Sequence, residues 1–286
     1  ASGTPRRGAT TRGGTAVAIP GTPAALAHVA QHYGRLPLAA TLAPAIRHAR
    51  EGFRVDARYA RIAAMREHFL REHAQAAAVF LDEGRAPQPG HLLRQPDLAA
   101  TLGRIAREGR DGFYSGPVAQ ALVETVNAAG GAWQAADLAN YRVVERAPMR
   151  FAYRGAIITA AALPSAGGIA LAQSLRMLER FELGAATHPE TAHLVAEALR
   201  RAFHDRAQHL GDSDFVSVPV AGLIDREYAR RRAAEIDPAR ATPSVGLGAE
   251  LPTRAESGNT THFSIIDAEG NRVSATLTIN LLFGSG

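Results

Sequence analysis

The sequence predicts an α+β protein whose helices pack on a sheet. Apolar residues recur with helical spacing through most of the first 130 residues, and the spacing changes to strand-like alternation after about residue 142 and again after residue 261. A second helical region separates the two strand regions. The chain of 286 residues is 46% hydrophobic and 21% charged, within the globular range. Disordered, collagenous and fibrous classes are therefore excluded.

The first part of the chain carries several helix signals. Thr22-Pro23 is typical of a helix start, with threonine at the N-cap and proline in the first turn, and Gly34 is typical of a helix end. A loop is expected at 86–90, where two prolines occur. Further helices are predicted at about 38–51, 57–72, 97–108 and 117–129.

The remainder alternates between strands and helices. Strands are predicted at 142–145, 149–153 and 156–161, and helices at about 168–180, 189–209 and 225–235. Proline and glycine mark 237–257 as an exposed linker. Two alternating strands, at 262–267 and 273–280, follow the linker.

This order predicts four segments. They are a flexible lead-in at 1–16, a region of helices and strands at 17–236, a linker at 237–259 and a terminal hairpin at 260–286. A two-stranded hairpin is marginally stable alone, so we expect its sheet to be completed by something outside these residues.

Composition also excludes several kinds of site and partner. Cysteine is absent, which excludes disulfides, iron–sulfur clusters, thiolate zinc sites and cysteine nucleophiles. All 32 basic residues are arginine, in small clusters near acids, so no nucleic-acid partner is predicted. No apolar run reaches the roughly 20 residues of a membrane span, and residues 1–14 lack the apolar core of a signal peptide.

Histidines indicate no metal site. His28 and His32 lie four residues apart on one predicted helix, but no acidic residue in that helix completes a ligand set. We therefore expect no metal and no cofactor.

The terminal hairpin predicts its own register. A loop at 268–270, with glycine in the left-handed position, pairs Asp267 with Asn271. Asn280 follows on the same face because side chains alternate along a strand. This polar face indicates either a functional site or an ordinary amphipathic hairpin with its polar side in water. The predicted pairs on it are Ser264 with Ser274, His262 with Thr276, and Thr260 with Thr278.

The hairpin is the last of a series of motifs. In chain order they are Pro20-Gly21-Thr22, Leu36-Pro37-Leu38, Pro44-Ala45-Ile46 through Glu51-Gly52-Phe53, Phe113-Tyr114-x-Gly116, Asp137-Leu138-x-x-Tyr141, 163–168 (LPSAGG), Asp205-Arg206 through 210–215 (LGDSDF), 258–264 (GNTTHFS), Asp267-x-x-Gly270-Asn271, Thr276-x-Thr278-x-Asn280 and 283–286 (FGSG). Together, from about residue 17 onward, they resemble the γ-glutamyltranspeptidase family.

The resemblance implies a fold and a set of site residues. The fold is the α-β-β-α sandwich of N-terminal-nucleophile hydrolases, of which this chain would be a helix-rich central fragment with an incomplete sheet. The precursor would cleave itself between Asn259 and Thr260. Thr260 would become the catalytic nucleophile, Thr278 the catalytic residue that hydrogen-bonds it, and Asn280 a substrate-binding residue for the amino acid end of the donor.

The resemblance also implies a function. The complete protein would transfer the γ-glutamyl group of glutathione-like donors to water or an amine, as a heterodimer of cleaved large and small subunits, in the periplasm or outside the cell. Two alternatives stay open. One is a related acylase acting on a cephalosporin side chain or on poly-γ-glutamate, and the other is a non-catalytic fragment.

Some family features have no counterpart in residues 1–286. These are the arginine for the donor α-carboxylate, in an R-E-x-A-P motif, and the Gly-Gly oxyanion segment. We therefore expect this polypeptide alone to be inactive and mostly uncleaved. Ala166 replaces a usual serine, and Leu281 and Leu282 replace residues that are often threonine.

Overall fold

The computed structural model describes residues 9–247 and 260–285. These residues form two compact units. The first contains the described residues up to Val143 together with the C-terminal segment from Thr260, and the second contains the described residues from Val144 onward. None of the described helices is long and apolar enough to cross a membrane.

Within its described residues, the first unit is built from helices. Short strands β1 (Phe53–Arg54) and β2 (Leu92–Leu93) pair antiparallel, and a 3-10 helix covers Gly14–Ala16. The helices are α1 (Thr22–His32), α2 (Leu38–Glu51), α3 (Ala57–Arg71), α4 (Ala74–Phe80), α5 (Pro96–Glu108), α6 (Asp111–Tyr114), α7 (Gly116–Ala128) and α8 (Ala135–Ala139).

The long helices of this unit confirm the sequence prediction. Each predicted helix is present with its ends shifted by a few residues. The N-cap of α1 is Gly21 rather than Thr22. The short helices α4, α6 and α8 were not predicted, because four to seven residues are too few to display a helical period.

The second unit packs helices beside a small sheet. Strands β3 (Met149–Tyr153) and β4 (Ala156–Ala160) pair antiparallel, as predicted. The helices that follow are α9 (Gly167–Leu178), α10 (Pro189–His209), α11 (Val220–Leu223) and α12 (Arg226–Ala234), and a 3-10 helix covers Ser244–Leu247.

The strand predicted at 142–145 is wrong, since these residues pair with no other strand in the described chain. Val143 packs against the buried cluster around Tyr114, whereas Val144 is 60% exposed. The alternating apolar pattern at 142–145 therefore arises because one side of this segment packs against helices, and not because the segment is a strand.

Gly168 sets how closely α9 approaches β4. A Cβ at this position would lie 2.7 Å from the carbonyl oxygen of Ala161 and 3.1 Å from the Cβ of Ala160. The backbone of α9 at Gly168 therefore lies too close to the end of β4 for a side chain to fit between them, which explains the second glycine of the LPSAGG motif.

A buried charge network holds the end of the second unit against α10. Glu197 and Arg201 are each 1% exposed, and Arg201 Nη1 donates to Glu197 at 2.7 Å. Thr242 Oγ1 donates to the same carboxylate at 2.6 Å, and Arg200 Nη1 at 2.5 Å. Burial acts to raise the pKa of Glu197, but these hydrogen bonds outweigh it and lower the pKa to about 2.

The C-terminal segment is an exposed hairpin. Strands β5 (Thr261–Ile266) and β6 (Arg272–Leu277) pair antiparallel, with Ser264 opposite Ser274 and His262 opposite Thr276. The predicted register and the turn that links Asp267 to Asn271 are confirmed. The described β structure consists of three separate two-stranded sheets, which agrees with the expected α+β class.

Contacts at both ends attach this hairpin to the rest of the first unit. At the loop, both guanidinium NH₂ groups of Arg35 bind the carboxylate of Glu269, one of them at 2.8 Å. Beyond β6, the ring of Phe283 contacts Tyr59 at 5.8 Å and Phe80 at 5.2 Å between centroids. These contacts position the polar residues that follow β6.

A second anchor positions the Pro20-Gly21-Thr22 motif. Tyr114, in α6, is 1% exposed, and its hydroxyl donates to the carbonyl of Pro20 and accepts from the N–H of Ala24 at 3.2 Å. Its ring stacks on Tyr141 at 5.5 Å between centroids. A Cβ on Gly21 would lie 2.3 Å from the Tyr141 hydroxyl, so glycine is needed for this approach.

We expect Tyr114→Phe to lower the free energy of unfolding by about 1–3 kcal/mol, because it leaves the Pro20 carbonyl and the Ala24 N–H without their partner. Tyr59→Phe is the matched control, since its buried hydroxyl has no hydrogen-bond partner among the described residues and its loss should be neutral or slightly stabilising. Urea unfolding of both variants measures the difference. Equal effects would contradict the proposed anchor.

The lowered pKa of Glu197 makes the free energy of unfolding depend on pH. Its folded pKa of about 2 lies below the ordinary value of 4.5, so its contribution is complete well above pH 4.5 and is lost as the pH falls toward 2. We expect Glu197→Gln to cost about 3 kcal/mol at neutral pH, since Arg201 then loses its buried counter-charge.

Urea unfolding at a series of pH values between 5 and 2 tests this expectation. The slope of stability against pH should be shallower in Glu197→Gln than in the parent chain, whereas the exposed Glu182→Gln should leave it unchanged. An unaltered slope in Glu197→Gln would rule out this carboxylate as the source.

Candidate active site

Two of the predicted site residues lie at one cavity in the first unit. Thr278 and Asn280 line a cavity of about 400 Å³ together with the Pro20-Gly21-Thr22 motif. The two motifs are more than 250 residues apart in the sequence. The Tyr114 anchor supports one wall, and the segment after β6 supplies the other.

Thr278 and Asn280 are linked directly. The backbone N–H of Asn280 donates to Thr278 Oγ1 at 2.9 Å. Asn280 has a φ of 68°, a left-handed conformation that asparagine tolerates better than most residues. The chain therefore turns sharply after β6, at the residue whose N–H binds the Thr278 hydroxyl.

Thr260 lies at the start of the hairpin, directly before β5, and is exposed. The last pair of the ladder is Thr261 with Leu277, and a continuation of the same register would set Thr260 opposite Thr278. Directly opposed residues in an antiparallel pair have Cβ atoms roughly 5 Å apart. Thr260 is not among the residues lining the cavity. Asn259, the other residue of the expected cleavage site, lies outside the described residues.

The polar face of the hairpin is organised around His262. Its Nδ1 lies 2.7 Å from Thr276 Oγ1, and its Nε2 lies 3.2 Å from Ser274 Oγ and 3.3 Å from Ser264 Oγ. Both ring nitrogens are thus within hydrogen-bonding distance of hydroxyls. This network holds the face next to Thr260 in a defined arrangement.

The described lining of the cavity carries no charged side chain. Its polar members are neutral hydroxyl and amide groups: Thr10, Thr11, Thr22, Thr278, Asn280 and Ser285. Such a lining can orient a substrate by hydrogen bonds, and a strong base must come from a group outside it.

No group of three or more histidine, aspartate and glutamate residues among the described residues could hold a metal ion. His28 and His32 instead stack on one another, with ring centroids 4.1 Å apart, and His32 Nδ1 lies 2.9 Å from the carbonyl oxygen of His28.

The role of Tyr114 and Tyr141 was not foreseen. Both belong to the motifs that carried the resemblance, but a sequence motif does not show which turn a buried hydroxyl braces. The signal available was one tyrosine in each of two short motifs, 113–116 and 137–141.

The chain is similar in sequence to known proteins. The sequence model of the family described as Gamma-glutamyltranspeptidase matches residues 2–286. A glutathione hydrolase proenzyme of Pseudomonas aeruginosa is 41% identical over 285 residues, covering 96% of this chain and 48% of that protein. An acylase ACY 1 proenzyme of Pseudomonas sp. (strain SE83) is 42% identical over 276 residues, covering 96% of this chain and 49% of that protein.

Structural similarity covers most of the chain. The crystal structure of Helicobacter pylori γ-glutamyltranspeptidase superposes with a TM-score of 0.82 at 33% identity, covering 89% of this chain and 74% of that one. The chain spans about half the length of the curated relatives it matches. A family match over nearly every residue, together with this structural agreement, shows that the chain belongs to the γ-glutamyltranspeptidase family of N-terminal-nucleophile hydrolases.

Proposed function

We propose that the complete protein hydrolyses or transfers γ-glutamyl groups of glutathione-like donors through an ester on Thr260. The observation that carries this proposal is the cavity at which Thr278 and Asn280 meet the Pro20-Gly21-Thr22 motif. Thr260 and Thr278 directly flank the last pair of the hairpin ladder, Thr261 with Leu277. The family assignment supports the reaction class.

Threonine needs a base to act as a nucleophile, because a free hydroxyl is weak. The described cavity lining offers no charged side chain. An α-amino group has a pKa of about 8 and, on an N-terminal threonine, lies within reach of its own hydroxyl. Cleavage before Thr260 would therefore create the base and the nucleophile together.

The same hydroxyl would carry out the cleavage step. Thr260 Oγ attacks the carbonyl carbon of Asn259, the C–N bond breaks as the ester forms, and the hydroxyl proton moves to the released nitrogen. Water then hydrolyses the ester, leaving a carboxylate on Asn259 and a free amino group on Thr260. An amide nitrogen is not a base, so the uncleaved chain should not turn over substrate.

Turnover repeats this chemistry on the donor. The Thr260 α-amino group takes the hydroxyl proton while Oγ attacks the γ-carbonyl carbon, and the proton passes to the leaving amine. The γ-glutamyl ester is then attacked by water, giving hydrolysis, or by an amine, giving transfer. Either route restores the Thr260 hydroxyl.

Thr278 and Asn280 would orient the reactants. The Asn280 N–H donates to the Thr278 hydroxyl and so helps to orient it. In the proposed reaction this hydroxyl hydrogen-bonds Thr260. The side chain of Asn280 would contact the amino acid end of the donor. The cleaved segments would stay together as a heterodimer.

In the complete protein, Thr260→Ala should abolish cleavage because no hydroxyl remains, and Thr260→Ser should cleave, more slowly. Thr261→Ala is the matched control, since this neighbouring threonine points to the opposite face of the strand and should be processed normally. N-terminal sequencing of the smaller fragment identifies the cleaved bond. A start other than Thr260, or processing of Thr260→Ala, would show that the nucleophile is another residue.

Thr278→Ala should lower kcat roughly 10- to 100-fold with little change in KM, as expected for loss of one charge-assisted hydrogen bond in the transition state. Thr278→Ser keeps the hydroxyl and should restore most of the rate. Steady-state kinetics with a γ-glutamyl anilide measure both variants. A rise in KM at constant kcat would instead assign Thr278 to donor binding.

A related acylase is the second candidate. The acylase ACY 1 proenzyme is as similar to this chain as the glutathione hydrolase proenzyme, and Leu281, where the family often has threonine, lines the cavity. Glutaryl anilide and γ-glutamyl anilide differ only by the α-amino group. A higher kcat/KM for the γ-glutamyl compound supports the first function, and the reverse order supports the acylase.

A further inference from the structure

A second cavity of the first unit has a basic lining. It has a volume of about 520 Å³ and shares no residue with the cavity at Thr278. Three arginines, Arg107, Arg110 and Arg142, line it, and no aspartate or glutamate does. Its apolar lining includes Ala27, Leu36 and Val143.

Two of these guanidinium groups converge on the same oxygens. Arg110 Nη2 donates to the carbonyl of Ala139 at 2.7 Å and to that of Tyr141 at 2.8 Å. Arg142 Nη1 donates to the same carbonyls, at 2.6 Å and 2.8 Å. The two positive charges are therefore close neighbours, held by neutral acceptors at the end of α8.

Little negative charge in the described chain compensates them. Arg107 and Arg142 form no ion pair with an acid among the described residues. Arg110 Nη1 reaches Asp111 at 3.2 Å, but that carboxylate is 75% exposed and does not line the cavity. Charges exposed to water are screened, so Asp111 offsets the cluster only weakly.

A buried donor in the cluster also lacks an acceptor. The Nε of Arg110 is shielded from solvent and has no hydrogen-bond partner among the described residues. Buried polar groups are nearly always paired in folded proteins. A guanidinium group has five donors in a planar fork that matches the oxygens of carboxylate and phosphate.

We infer that this cavity binds a small organic anion, with its carboxylate or phosphate group on the arginines and a short aliphatic part against the apolar wall. The anion supplies the negative charge that the cavity lining lacks. This site is separate from the one used in the proposed reaction, so failure of either proposal leaves the other intact.

Isothermal titration of the 286-residue chain at low ionic strength tests this inference, with inorganic phosphate and glutarate as probes. We expect one saturable site per chain, with an affinity that falls as NaCl is added. Arg142→Gln and Arg107→Gln should each weaken binding about 10-fold. Arg47→Gln, an exposed arginine on α2 outside the cavity, should leave the affinity unchanged.

The two probes separate the possible head groups. Saturable binding of phosphate alone indicates a phosphate ligand, and binding of glutarate alone or of both indicates that a carboxylate is accepted. Arg107 has no hydrogen bond to the described backbone, so its variant tests the site even if Arg142→Gln disturbs the turn after α8. No saturable binding of either probe, or wild-type affinity in Arg107→Gln and in a folded Arg142→Gln, would overturn the inference.

Discussion

The hydrogen-bonded hydroxyl of Tyr114 is the interaction on which the candidate active site depends. Because this hydroxyl is buried, it needs both an acceptor and a donor. The Pro20 carbonyl is the acceptor and the Ala24 N–H is the donor. These two groups flank the start of α1, so the turn of Pro20-Gly21-Thr22 is fixed to a residue about 90 positions further along the chain. Gly21 allows the Tyr141 hydroxyl to approach, and the Tyr141 ring stacks on that of Tyr114. The buried Tyr114 and the partly buried Tyr141 therefore support one wall of the cavity.

The other wall depends on the register of the hairpin. A two-residue period sets Thr260, His262, Thr276 and Thr278 on one face, and a shift of one residue would turn all of them to the other. The loop with Gly270 and the ion pair from Arg35 hold one end, while Phe283 between Tyr59 and Phe80 holds the other. Beyond β6, the left-handed backbone of Asn280 brings its N–H onto the Thr278 hydroxyl. The turn after β6 therefore sets the position of the Thr278 hydroxyl at the end of the strand.

Features governed by local sequence could be predicted, and those governed by distant contacts could not. The register of the hairpin follows from its loop, and the end of α2 follows from Gly52, whose φ is 92°. The false strand at 142–145 arose because Val143 packs on a helical cluster that the sequence does not display. The meeting of Asn280 with Pro20, the bracing role of Tyr114 and the convergence of Arg110 with Arg142 all require the tertiary structure. The roles of Thr260 and Thr278 came from the family resemblance, with which the hairpin register agrees.

The central claim is that Thr260 carries the γ-glutamyl group during turnover. Mass spectrometry of the complete protein, acid-quenched while it turns over a γ-glutamyl anilide, tests this claim directly, because acid preserves an ester. We predict a γ-glutamyl ester on the first residue of a peptide that begins at Thr260. An adduct on any other residue, or steady turnover with no adduct on Thr260 under conditions in which deacylation is rate-limiting, would contradict the account.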